Sequence, residues 1–127
     1  MRPYIVAPEA QRDIQNILAW TDEQYGGKAC LRYEALLIQA VVDIADSPER
    51  PGTHDRREIA PTARVYHLRH SRTRVARMIG RVKNPRHVLL FRLRKDGAVE
   101  IARVLHDSMD LEKHLPAGFV EENDRDD

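Results

Sequence analysis

The residues best suited to chemistry lie in the C-terminal half of the sequence. In the run RVLHDSMDL, His106 is followed by Asp107 and Asp110. A histidine at the end of a strand can give or take a proton near neutral pH, and a nearby carboxylate would orient its ring. The same residues also suit a plainer role, in which Asp107 or Asp110 caps a final helical turn and His106 completes local hydrogen bonds. No serine or cysteine nucleophile in a recognisable motif accompanies them. His67-x-x-His70 has a metal-like spacing, but on a strand it sends the two rings to opposite faces, so no metal site is expected there. The single cysteine, Cys30, excludes an internal disulfide or a multi-cysteine zinc site and reads as a small buried hydrophobe in a helix. The glycines lack the spacing of a phosphate-binding loop. The single tryptophan, Trp20, fits either a helix–helix interface or a contact surface.

Charge is distributed unevenly. The net charge of the 127-residue chain is +1, yet the run from Arg64 to Lys95 holds 11 basic residues and no acidic one. Such a block repels itself unless it faces an anionic partner, such as nucleic acid or an acidic peptide, or is spread over a solvated face. Its aromatic residues, Tyr66 and Phe91, are not regularly interleaved with the cations, which gives little support to a base-stacking platform.

The elements that must position these residues can be read from periodicity. Residues 4–7 form a short apolar strand. Pro8 suits the first turn of a helix, and residues 9–25 carry Ala10, Ile14, Ile17 or Leu18, and Thr21 on one face. Gly26-Gly27 ends that helix. Residues 28–46 form a second helix with a broad stripe through Ala29, Tyr33, Leu36, Leu37, Ala40, Val41 and Ile44. The two-glycine link predicts an antiparallel helical hairpin. Residues 47–63 read as a polar loop with three prolines. Residues 64–70 and 88–94 read as strands, the latter with Leu89, Phe91 and Leu93 on one face and Arg92 and Arg94 on the other. Asp96-Gly97 is a hairpin signal, and residues 98–106 form the return strand. Its core face is ambiguous from alternation alone. Residues 71–87 are irregular and basic, and residues 108–114 predict a final helical turn capped by Asp107 or Ser108. The expected fold is α+β: a small, mostly antiparallel sheet in the order β-α-α-β-β-β with the helical hairpin on one face.

Length allows a single core, here residues 1–115, and at this size roughly two-thirds of the unfolded surface can be buried without staples. Residues 116–127 carry 1 basic and 5 acidic side chains and read as a disordered acidic tail. No apolar run approaches the ~20 residues of a membrane span, and the N-terminus lacks the apolar core of a signal peptide. A soluble cytoplasmic protein is the expectation.

Several segments together resemble the ParE branch of the RelE/ParE superfamily of bacterial type II toxins. They are PYIVAPEAQRDIQNILAW, SPERPG, RVYHL and HVLLFRLRKDGAVEIARVLHDSMDLEKHL. The family's first helix bears an Ala-x-x-Asp-Ile pattern, matched by Ala10, Asp13 and Ile14. Its last strand bears aliphatic–Arg–aliphatic–aliphatic–His, matched by Ala102 to His106, with Asp110 downstream. The resemblance spans about residues 3–115. The chain departs from it in the basic segment 71–87, where many relatives have a tight turn, and in the acidic tail.

The resemblance implies a gyrase poison that blocks replication by binding, without a cofactor or hydrolytic chemistry of its own. A ParD-like antitoxin would hold it silent as a hetero-oligomer. Arg64, Arg69, Arg92, Arg94, Arg103, His106 and Asp110 are the implied target- or antitoxin-binding positions. An acidic, amphipathic antitoxin segment would dock over the helical hairpin and reach the Arg64–Lys95 region. The alternative is a RelE-like, ribosome-dependent mRNA endonuclease, with His106, Arg92 and Arg103 as catalytic residues. It rests on His106 alone for proton transfer, since no tyrosine follows and Phe119 cannot serve. A third reading is a non-toxic protein whose basic face binds nucleic acid or an antitoxin.

Overall fold

The computed structural model describes residues 1–115; the predicted acidic tail, 116–127, lies outside the described residues. The elements are β1 (Tyr4–Val6), α1 (Pro8–Tyr25), α2 (Gly27–Asp46), β2 (Thr53–Asp55), β3 (Ala63–His67), β4 (His87–Leu93) and β5 (Val99–His106), with 3₁₀ segments at Leu68–Arg74 and Leu111–His114. The five strands form one sheet in the order β1-β5-β4-β3-β2. β1 runs parallel to β5, and the other neighbours are antiparallel. The α+β architecture is therefore the one the sequence predicts.

Three details correct the sequence reading. The polar loop 47–63 contains an extra edge strand, β2, which pairs with β3 from Thr53↔Tyr66 to Asp55↔Arg64. The strand predicted over 64–70 stops at His67, because the His67 ring accepts the Arg69 amide (3.1 Å) and turns the chain into a 3₁₀ segment. The final turn starts only at Leu111, with the Asp110 carbonyl accepting the Lys113 amide (3.2 Å). Asp107 and Ser108 precede it in a turn of their own and do not cap it.

The helical hairpin forms as the stripe requires. Gly26, at φ +89°, is the residue between α1 and α2, a conformation side chains rarely tolerate. The buried face of α2, Tyr33, Leu36, Leu37, Ala40, Val41 and Ile44, packs with Tyr66, Leu89, Phe91, Val99, Ile101 and Val104 of the sheet. A second, smaller core lies apart from the helices, where Leu90, Ala102 and Leu105 meet Ile59, Ala60, Ala63 and Leu111.

The ambiguity of β5 has a physical cause. Leu90 pairs with Arg103 and Phe91 with Ile101, so Ala102 is an extra residue at a bulge. The bulge shifts the alternation by one. Ile101 and Val104 consequently serve the same core, while Ala102 and Leu105 serve the other.

Asp43 ties α2 to the first 3₁₀ segment. Its buried carboxylate accepts from Ser71 (2.6 Å), Arg74 (2.8 Å) and Gln39 (2.9 Å), and Arg50 lies at 3.2 Å. Burial opposes its ionisation, but these donors outweigh burial and hold its pKa below the ordinary carboxylate value.

Candidate functional site

Five of the eleven cations in the basic run are neutralised by acids from elsewhere in the chain. Arg64 pairs with Asp55 and donates to the Thr53 hydroxyl (2.7 Å). Arg74 pairs with Asp43, Arg86 with Asp107, and Arg94 with Asp96 and Glu100. Arg92 is only 1% exposed and meets Glu100, its cross-strand neighbour, through two 3.2 Å hydrogen bonds. Arg72 and Arg81 donate to the carbonyls of Val82 and Thr73. Arg69, Arg77, Lys83 and Lys95 have no ion-pair partner among the described residues.

Of the residues singled out in the sequence, His106 lies beside Asp107. The Ser108 amide donates to His106 Nδ1 (3.2 Å), and the Ser108 hydroxyl lies 2.7 Å from the same atom. Asp107 approaches that nitrogen at 3.5 Å. Asp107 also receives His67 Nε2 (3.0 Å) and the Arg86 guanidinium (3.0–3.3 Å). The Arg86 hydrogen bonds, with help from His67, pull its pKa down to about 2. Asp110 is exposed at a shallow depression with Asp107 and Met109. Arg69 is exposed, and Arg94 is about one-third exposed. The two rings of His67-x-x-His70 part company: His67 turns to Asp107, while His70 lies 5.6 Å from the Tyr66 ring. Cys30 is a partly buried free thiol whose Sγ reaches the Leu18 carbonyl (3.5 Å).

The fold adds residues that the sequence did not point to. Tyr33 of α2 lies 2.6 Å from His87 Nδ1 at the start of β4, and its oxygen accepts the Arg86 amide (3.2 Å). The His87 ring stands edge-on to Tyr33 and to His106, at 5.5 and 5.6 Å between centroids. Burial pushes the Tyr33 hydroxyl up to about 12. Burial, reinforced by neighbouring His106, pushes His87 down to about 4. Both groups are neutral at pH 7, so the pair is held by a hydrogen bond between uncharged partners. No local sequence signal could reveal it, because Tyr33 and His87 are 54 residues apart.

Two hollows lie along α2, and the pair lines the first of them. One, of about 600 Å³, has Trp20, Tyr25, Tyr33 and Val82 as apolar walls and Arg32, Arg81, Lys83 and Arg86 among its cations. The other, of about 640 Å³, lies between Leu31, Ala35 and Ile38 of α2 and Met78 and Ile79. Arg32 borders both. Gly80, at φ +95°, lets the chain cross this side chain; a Cβ there would fall 2.7 Å from Arg32 Nε. Trp20 is 53% exposed and packs edge-to-face on Tyr25, which places it on a surface and outside the helix–helix core.

The positions that carried the family resemblance meet in space. Asp13 of α1 takes the Arg103 guanidinium in a bidentate pair (2.7 and 2.8 Å) and also accepts the Val104 amide (2.9 Å). Arg103 donates further to the His114 carbonyl (2.7 Å). A family profile described as the ParE toxin of the type II toxin–antitoxin system, parDE, matches residues 4–111. The chain belongs to that ParE toxin family. No curated protein matches it. No helix among the described residues is long and apolar enough to cross a membrane.

Proposed function

We propose that this toxin binds DNA gyrase and blocks replication until a ParD-like antitoxin covers it. The observation that carries the reading is the ParE match over nearly the whole described domain. Arg69, Arg94, His106 and Asp110 all reach solvent; we assign Arg69, Arg94 and Asp110 to target or antitoxin contact, and His106 to antitoxin contact alone. Arg64, Arg92 and Arg103 contribute at one remove, by holding the sheet that presents them. The antitoxin segment is an acidic amphipathic peptide laid along α2. There Leu31 and Ile38 are exposed on one helical face about two turns apart, and Lys28 and Arg32 flank them.

A ribosome-dependent nuclease is the second reading, and the half-buried His106 beside Asp107 favours it. Its other two expected catalytic groups, Arg92 and Arg103, are held by Glu100 and Asp13. The deciding experiment is tight induction of the protein alone, with DNA and protein synthesis labelled in parallel. DNA synthesis should stop first, and purified gyrase should accumulate cleavage complexes. His106→Ala should leave the arrest intact. Protein synthesis stopping first, or loss of arrest in a folded His106→Ala variant, moves the target to the ribosome.

A further inference from the structure

The hollow beside Tyr33 and His87 has a composition that the toxin reading does not use. No carboxylate lines it. Two of its cations, Arg32 and Lys83, have no hydrogen-bond or ion-pair partner among the described residues. A third, Arg81, donates only to a neutral carbonyl. On the sheet Arg64, Arg92 and Arg94 find acids; here the like charges stand together around a cavity. An anionic guest would relieve their repulsion, and guanidinium groups suit phosphate oxygens in particular.

The walls add a second requirement. Trp20 and Tyr25 are 53% and 69% exposed, and their rings meet edge-to-face at 5.7 Å. Large rings left open at a cavity mouth offer a face to a planar partner. A third feature lies between them and the sheet. The Tyr33 hydroxyl and His87 Nδ1 share a 2.6 Å hydrogen bond, and the Arg86 amide donates to the Tyr33 oxygen. His87 Nε2 has no partner among the described residues and is left to exchange a hydrogen bond with a guest. A cavity of about 600 Å³ is the size of a small-molecule site.

From the aromatic wall, the uncompensated cations and this unpartnered ring nitrogen, we infer that the hollow binds a nucleoside polyphosphate. The base stacks at Trp20 and Tyr25, and the phosphates meet Arg32, Arg81 and Lys83. An acidic peptide could satisfy the cations. It would gain less from two exposed rings, and the neighbouring apolar hollow suits it better. The inference stands independently of the toxin's target.

Trp20 is the only tryptophan, so its fluorescence reports on this site alone. Full-length protein is titrated with ATP, with pyrophosphate, with adenosine, and with an acidic apolar peptide, each checked by calorimetry. ATP should change the Trp20 emission saturably. Pyrophosphate and adenosine should each bind at least tenfold more weakly, because each supplies half of the recognition. Lys83→Glu, at an exposed position, and Tyr25→Ala should each weaken ATP at least tenfold, with circular dichroism unchanged. Pyrophosphate binding as tightly as ATP would reduce the site to a bare anion hole and overturn the proposal. So would a response to the peptide, or to a single-stranded oligonucleotide, with none to ATP.

Discussion

Individual residues here are defined more by their partners than by their types. His87 is the clearest case, since burial and His106 hold its pKa near 4 against an ordinary 6.5. Between those values the unfolded chain binds a proton that the folded chain does not, so stability is complete above pH 6.5 and is lost as pH falls toward 4. The loss should be of order 1–3 kcal/mol, allowing for the ring's contact with solvent. His70 is also held below its usual value, first by burial, and adds to the same window. His87→Asn keeps an acceptor for the Tyr33 hydroxyl and removes the titration. Urea unfolding of this variant at pH 7 and pH 4.5 should show a clearly smaller difference than wild type. An identical pH dependence would mean that the ring is not buried in solution. Asp107 titrates well below this window, near 2, and does not confuse it.

Elements are joined by a few long-range polar clamps, and the strongest links α1 to β5. Beyond Val6, β1 no longer covers the outer edge of β5. Asp13 takes over there, accepting the Val104 amide and the Nε and Nη2 edge of the Arg103 guanidinium. Asp13→Ala leaves an amide and a mostly buried guanidinium without their acceptor, which should cost about 2–4 kcal/mol in urea denaturation. Arg103→Met should cost less, and the double variant should recover part of the loss. Equal, additive effects would show that the two side chains are not coupled. The clamp also shows what could be read in advance. Both helices, the Asp96-Gly97 turn and the Leu89/Phe91 face follow from local periodicity, and all are present. The phase of β5 does not follow, because one bulged residue, Ala102, breaks the alternation on which such reading depends. The short strand β2 was hidden for a similar reason. Three residues pairing at a sheet edge leave no periodic trace inside a proline-containing loop.

At the scale of the molecule, the basic run divides into a neutralised part on the sheet and an open part along α2. The sequence showed eleven cations but not the acids that reach five of them, because Asp43, Asp55, Asp96, Glu100 and Asp107 all lie outside the run. The segment after the first 3₁₀ turn, unreadable by periodicity, supplies one wall of both hollows through Met78, Ile79, Arg81 and Lys83. On that wall Met78 is 95% exposed, facing Leu31 at 62% and Ile38 at 59% across the groove. Three large apolar side chains so exposed contribute little to the fold and offer a partner a ready apolar seat. Replacing Leu31, Ile38 and Met78 together with Gln should therefore leave stability within about 0.5 kcal/mol per site. If the antitoxin lies along α2, its affinity should fall at least ~100-fold, about 3 kcal/mol, and co-expression should no longer restore growth. Calorimetry with the antitoxin and a growth-rescue assay read the two effects separately. Loss of rescue with a normal unfolding curve assigns the groove to the antitoxin. Full rescue would seat the antitoxin on the other exposed positions, Arg69, Arg94 and Asp110, and leave the α2 groove to a different partner.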